Sequence, residues 1–165
     1  MPNVITIGAA TRDVFMVSKN FRIMPSAKSK TGAYECVALG SKIEVDQMVL
    51  TTGGGATNAA ATFGSLGLRT AVMTRIGKDA SGKDVVHELD SFGVNTHLIH
   101  VIKNGQTGFS TLLTMKDGER TVLVYRGVSS KFSWSDINAK ALKNTKWVYL
   151  TSLGGNIALS KRIIQ

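Results

Sequence analysis

A single cysteine, Cys36, is all the thiol the chain has, so no disulfide can close within it. No apolar run reaches the roughly 18 residues of a membrane-spanning helix. The opening, Met1-Pro2-Asn3-Val4-Ile5-Thr6-Ile7-Gly8, lacks the basic start and long apolar core of an export signal. These absences point to a cytoplasmic, reducing setting and away from a membrane. The histidines His87, His97 and His100 show no metal-ligand spacing; His87 is expected on the polar face of a helix and the other two in strand. No Cys/His or Ser/His/Asp arrangement marks a nucleophile. There is no internal repeat and no low-complexity linker. Acidic residues are few, 11 against 20 basic ones, leaving a net charge of +9. That balance raises a basic nucleic-acid-binding module as an alternative reading. The bases are scattered, however, with one loose cluster at Lys19, Arg22, Lys28 and Lys30 and no interleaved aromatics, so no nucleic-acid partner is expected. An anionic small molecule would be served by the same charge.

What is present is enough apolar residue, 43% of 165, for one ordinary domain with a real core. The chain is organised around Thr51-Thr52-Gly53-Gly54-Gly55-Ala56-Thr57-Asn58-Ala59-Ala60-Ala61. Three consecutive glycines cost backbone entropy, so they are expected to let main chain approach a ligand rather than to serve packing. A small-residue helix is expected from Ala59, ending near Gly67. Its start would aim free N–H groups and a partial positive charge at a polar or anionic ligand.

The rest of the pattern is α/β. Val4 to Ala10 reads as a buried, parallel, central strand, with Thr11-Arg12-Asp13 at its carboxyl end. Ligands sit at that edge of open α/β sheets, so Asp13 is either a ligand contact or a solvated turn residue. Residues 14–50 do not resemble a helical crossover. Val14 to Val17, Tyr34 to Leu39 and Ile43 to Leu50 read as strands of an antiparallel insertion, placed where a lid would be. Thr70 to Ile76 is a further buried strand. A capping box of Ser81 and Asp84 predicts a helix with Val85, Val86, Leu89 and Phe92 on its apolar face, ended by Gly93. Val94 to Ile102 is strand-like, and Thr107 to Met115 with Thr121 to Tyr125 form a hairpin about Lys116-Asp117-Gly118-Glu119. A short helix starts at Ser133 or Ser135 and runs through Leu142, and Trp147 to Leu150 is a last buried strand. The closing helix, Ile157 to Ile164, meets no stop signal, and the chain is expected to be a fragment.

Two motifs need weighing. Gly77-Lys78-Asp79-Ala80-Ser81-Gly82-Lys83-Asp84 nearly matches a P-loop, but Asp84 stands where a hydroxyl should hold magnesium beside phosphate, so a turn and helix cap is preferred. The Gly53–Asn58 stretch is a poor dinucleotide fingerprint, because Asn58 replaces its last glycine.

The spacing of Gly53, Gly54, Ala56, Asn58, Ala60, Gly67 and Gly77 resembles the first signature of the ribokinase-like (PfkB) carbohydrate kinases. Gly77, Asp79 and Gly82, the segment Gly8 to Asp13, and the pairs Thr107-Gly108 and Arg126-Gly127 continue the resemblance in order. It implies a three-layer α/β/α fold, ribokinase-like, with an incomplete, mostly parallel central sheet and a small antiparallel β lid at about 13–50 and 105–127. It implies the N-terminal, sugar-binding part of a kinase that transfers the γ-phosphoryl group of ATP, with Mg2+, to a sugar hydroxyl. A nucleoside (adenosine-type) kinase of the same family is the alternative. By the same resemblance Asp13 would bind sugar hydroxyls, Gly54 and Gly55 would present main chain, and Asn58 would hydrogen-bond the sugar. Thr11, Phe109 and Arg126 are further substrate-binding candidates, and a homodimer through the lid is implied. The family's second signature, which carries the anion hole and the catalytic base, has no counterpart here. The base and most of the ATP and Mg2+ site are therefore expected beyond Gln165. The chain alone is expected to be inactive, with an unfinished sheet edge.

Overall fold

The computed structural model describes residues 1–165, which divide into two compact units. The first comprises Met1–Arg12, Thr51–Phe109 and Tyr125–Gln165, and the second Asp13–Leu50 and Ser110–Val124.

The centre of the first unit is a parallel sheet of β1 (Val4–Ile7), β6 (Thr70–Met73) and β11 (Trp147–Leu150), ordered β11-β1-β6. Val4 lies opposite both Thr70 and Trp147, and Ile7 opposite Met73 and Leu150. Alternate residues serve opposite faces. Ile5, Ile7, Ala71 and Met73 join Phe132, Ile137, Leu153 and Leu159 in one apolar cluster. Val72 joins Ala10, Ala56, Ala60, Val85 and Leu89 in another. The sheet is thus covered on both faces, which gives three layers. β11 is a strand as expected but not a buried one: it lies at the sheet edge, where Trp147, Val148 and Tyr149 remain exposed.

On one face lie α1 (Gly55–Ser65) and α2 (Ala80–Ser91). α1 starts four residues before the sequence suggested. The Thr57 hydroxyl donates to the carbonyls of Gly53 and Gly54 at 2.5 and 3.0 Å, and the Asn58 N–H donates to Gly54 O at 3.0 Å. The polar pair therefore closes the first turn instead of preceding it. α2 is capped by Asp79, whose Oδ1 accepts from Gly82 N–H at 2.8 Å, rather than by the expected Ser81–Asp84 box. Val85 and Leu89, four residues apart, are its buried stripe. On the other face Leu159 anchors α4 (Ile157–Ile164), which Asn156 caps through Leu159 N–H at 3.0 Å. The predicted helix between Ser133 and Leu142 is two pieces: a 3-10 turn at Trp134–Asp136, capped by Ser133, and α3 (Ala139–Lys143).

The expected strand 70–76 also divides. After β6, Arg75–Gly77 forms β7, which pairs in parallel with β8 (His100–Ile102) rather than with β1. Asn95 forms an isolated bridge to Ala71, and His97 lies in a turn, so most of 94–102 is not strand.

The second unit carries β3 (Arg22–Pro25) and β4 (Ala33–Cys36), an antiparallel pair, together with the bulk of a four-stranded sheet. That sheet is ordered β10-β9-β2-β5, from β2 (Thr11–Val17), β5 (Gln47–Gly53), β9 (Gly108–Thr114) and β10 (Arg120–Tyr125). The β9–β10 hairpin stands where the sequence placed it. Residues 43–45 are not strand; Ser18 Oγ donates instead to Glu44 O at 2.7 Å, and Asp46 N–H to Val17 O at 2.7 Å.

Candidate functional site

The carboxyl end of β1 is where the first unit's loops converge. Gly54 has φ +101°, a conformation open chiefly to glycine, and a Cβ there would overlap the Ala9 carbonyl. Ala56 N–H donates to that carbonyl at 3.2 Å. A Cβ on Gly55 would lie 2.9 Å from Thr151 Oγ1, and one on Gly108 would lie 2.9 Å from Thr11 Cγ2 and 3.1 Å from Arg126 O. Ser129 Oγ donates to Ala10 O at 2.9 Å. Two of the three glycines thus admit neighbouring protein, which corrects the expectation that they do not serve packing. The start of α1 has no side-chain cap, and of its first-turn N–H groups that of Ala56 is taken by Ala9 O and that of Asn58 by Gly54 O.

Six of the seven residues singled out from the sequence belong to this unit: Thr11, Gly54, Gly55, Asn58, Phe109 and Arg126. Asn58 and Arg126 are exposed, and Thr11 and Phe109 half-buried. Asn58 lines a cavity of about 260 Å³ with Thr51, Thr52, Thr57 and Glu88. Asp13 is the first residue of the second unit, and its Oδ1 is buried without a hydrogen-bond partner. Such an atom requires a partner from outside the chain or costs stability.

Two carboxylates outside the candidate substrate-binding residues hold the surroundings. Glu88 accepts from Thr51 Oγ1 at 2.7 Å, from Thr52 N–H and Oγ1 at 2.9 Å each, and from Arg12 at 2.6 Å. Burial alone would raise its pKa, but the bonds from Thr51, Thr52 and Arg12 outweigh it and hold the carboxyl below its ordinary value. Asp79 accepts from Thr107 N–H at 2.8 Å and Thr107 Oγ1 at 2.6 Å, besides capping α2. Its pKa too is lowered: burial opposes the shift, and the Thr107 and Gly82 donors carry it. Gly77 N–H completes the clasp by donating to Thr107 Oγ1 at 2.9 Å. The near-P-loop is therefore a structural clasp. The spacing of Gly77, Asp79 and Gly82 was the available signal for Asp79. Nothing in the sequence marks Glu88, a polar residue on a helix.

A third cluster surrounds Asp136, whose side chain is fully buried. His100 Nδ1 lies against its Oδ1, while Arg75 at 3.0 Å and Ser133 N–H at 2.7 Å bind its Oδ2. Burial raises its pKa, and the donors, led by His100, outweigh that and lower it. No group of three or more His, Cys, Asp or Glu side chains is arranged so that it could hold a metal ion.

The pattern of the pfkB family carbohydrate kinases matches residues 1–162. The chain belongs to that family. Among curated proteins it is similar to an ATP-dependent ribose-1-phosphate kinase of Halopiger xanaduensis, 32% identical over 100 residues, covering 61% of this chain and 34% of the relative. It is 24% identical over 141 residues to a ribokinase of Dictyostelium discoideum, covering 84% of this chain and 39% of the relative. Among solved structures, Arabidopsis thaliana ribokinase complexed with ribose and ATP superposes with a TM-score of 0.72 at 22% identity, over 98% of this chain and 50% of that one. The fold of this pfkB family member is ribokinase-like, and the chain spans between a third and a half of the length of these proteins.

Proposed function

We propose that this chain is the sugar-binding part of an ATP-dependent carbohydrate kinase. The observation that carries the reading is the Oδ1 of Asp13, buried and without a partner in a chain whose match to a family of carbohydrate kinases runs from residue 1 to 162. A carboxylate accepts from two neighbouring hydroxyls at once, which suits a sugar. The uncapped, glycine-built start of α1 supports a second contact, in which Gly54 and Gly55 offer main chain and Asn58 its carboxamide. Thr11, Phe109 and Arg126 are further contacts in this reading, and residues of about 13–50 and 105–127 form a lid that keeps water from the transferring phosphoryl group.

Transfer requires the acceptor hydroxyl, the γ-phosphorus and the leaving β-phosphate oxygen in line, and magnesium would supply neutralisation of the phosphate charge. The base that takes the hydroxyl proton and most of the ATP site are supplied, in this reading, by sequence outside these residues, and the chain alone is inactive. The setting is cytoplasmic, and two copies pair through the lid. A screen of ribose, fructose, 2-keto-3-deoxygluconate and adenosine with MgATP, on protein carrying the complete family domain, tests the function. Phosphorylation of a sugar supports it. Adenosine as the sole acceptor supports the nucleoside kinase alternative, and turnover of none of the four refutes both.

A further inference from the structure

Residues 13–50 leave the first unit after Arg12 and return to it at Thr51. A single side chain holds both ends of that excursion. Glu88 Oε2 accepts from Arg12 at 2.6 Å and from Thr52 N–H and Oγ1 at 2.9 Å, while Oε1 accepts from Thr51 Oγ1 at 2.7 Å. Arg12 is nearly buried, at 12% side-chain exposure, and its Nε has no hydrogen-bond partner, lying 3.8 Å from Asp84. Its position therefore depends on the Glu88 contact. Arg12 immediately precedes Asp13, and Thr52 is followed by Gly53 and Gly54. The carboxylate sits on α2, a rigid element whose Val85 and Leu89 are locked in the core. Charged hydrogen bonds between half-buried groups are short and strong enough to fix a strand end.

We infer that Glu88 is a positioning residue for the acceptor substrate: it pins the two strand ends that lead into Asp13 and into Gly54. This rests on the kinase reading above. Glu88 itself need not touch the sugar; its removal frees Arg12 and the Thr51–Thr52 strand end. The test uses protein carrying the complete family domain, with the acceptor found in the screen, and compares Glu88→Gln and Glu88→Ala. Loss of several charge-assisted hydrogen bonds is expected to raise the acceptor KM about tenfold in Glu88→Ala, with the MgATP KM within about twofold. Glu88→Gln keeps an acceptor for the threonine hydroxyls but loses the charge opposite Arg12, so an intermediate rise of about threefold is expected. Hydrogen exchange should quicken at 11–13 and 51–53 in both variants while β1 and β6 keep their protection. A merely structural role would lower the melting temperature and raise both KM values together, and that outcome overturns the proposal. So does an unchanged acceptor KM in an active enzyme. Wild-type protein that phosphorylates no acceptor refutes the kinase reading instead, and the proposal falls with it.

Discussion

Replacing Gly54 with alanine separates the two uses of the glycine stretch. Gly54 sits at φ +101° and ψ 146°, a region that residues with a Cβ rarely occupy. Holding alanine there costs about 1–3 kcal/mol. The added Cβ would also overlap Ala9 O and stand 2.8 Å from Ala10 Cα, and both obstacles are backbone of the segment leading out of the central strand. Neither can swing aside as a side chain would, so relief needs a shift of α1 against that segment, worth about 1–3 kcal/mol more. The sum is about 2–6 kcal/mol, a large share of an ordinary domain's stability. Gly67→Ala is the internal control. Gly67 has φ +80° but nothing within 4 Å of its would-be Cβ, so only the conformational cost of about 1–2 kcal/mol applies. Urea unfolding of both variants without any substrate reads the difference directly. Gly54→Ala should be the less stable by about 1 kcal/mol or more. Equal midpoints would refute the packing role and return the glycine wholly to the ligand.

Asp79→Ala removes the α2 cap and leaves the Thr107 N–H and the Thr107 hydroxyl proton without an acceptor, so a loss of about 2–4 kcal/mol is expected in the same unfolding assay. The folded pKa of Asp79 is depressed, so its contribution is complete above the unfolded value and is lost as pH falls through the folded one. Stability should thus decline on acidification below about pH 4, less steeply in Asp79→Ala. Asp136→Asn leaves Arg75 beside an uncharged partner whose own side chain is fully buried, and thermal melts should show a loss of about 3 kcal/mol. The same sign of pH dependence applies to Asp136, whose pKa is also lowered, so the variant should flatten the acid limb.

Much of this architecture was legible because periodicity and turn chemistry agree. Val4–Ile7, Trp147–Leu150 and the Gly108–Tyr125 hairpin announce themselves by apolar runs or alternation about a tight turn. Two of the misreadings share one cause: side chains that bond locally to backbone. Thr57 folds back on Gly53 and Gly54 and draws the start of α1 forward; Asp79 outcompetes Ser81 for the cap of α2. The strand predicted through Ile76 changes partner after Met73, and only the pairing of Arg75–Gly77 with His100–Ile102 reveals it. For the candidate site, spacing of glycines and Asn58 carried the family, and it marked Asp13 from its place after the first strand. Glu88 was invisible, since a glutamate on a polar helix face reads as solvated until Arg12 and Thr51–Thr52 are brought to it. Asp136 was equally silent, its partners His100 and Arg75 lying 36 and 61 residues away in sequence.

The most direct measurement is a calorimetric titration of the acceptor sugar into protein carrying the complete family domain, wild type against Asp13→Ala. Wild type should bind the sugar, and the variant should show no measurable binding while its affinity for ATP stays within about twofold, since the lost interaction belongs to the sugar side alone. Unaltered sugar affinity in Asp13→Ala would contradict the assignment of this chain as the sugar-binding part.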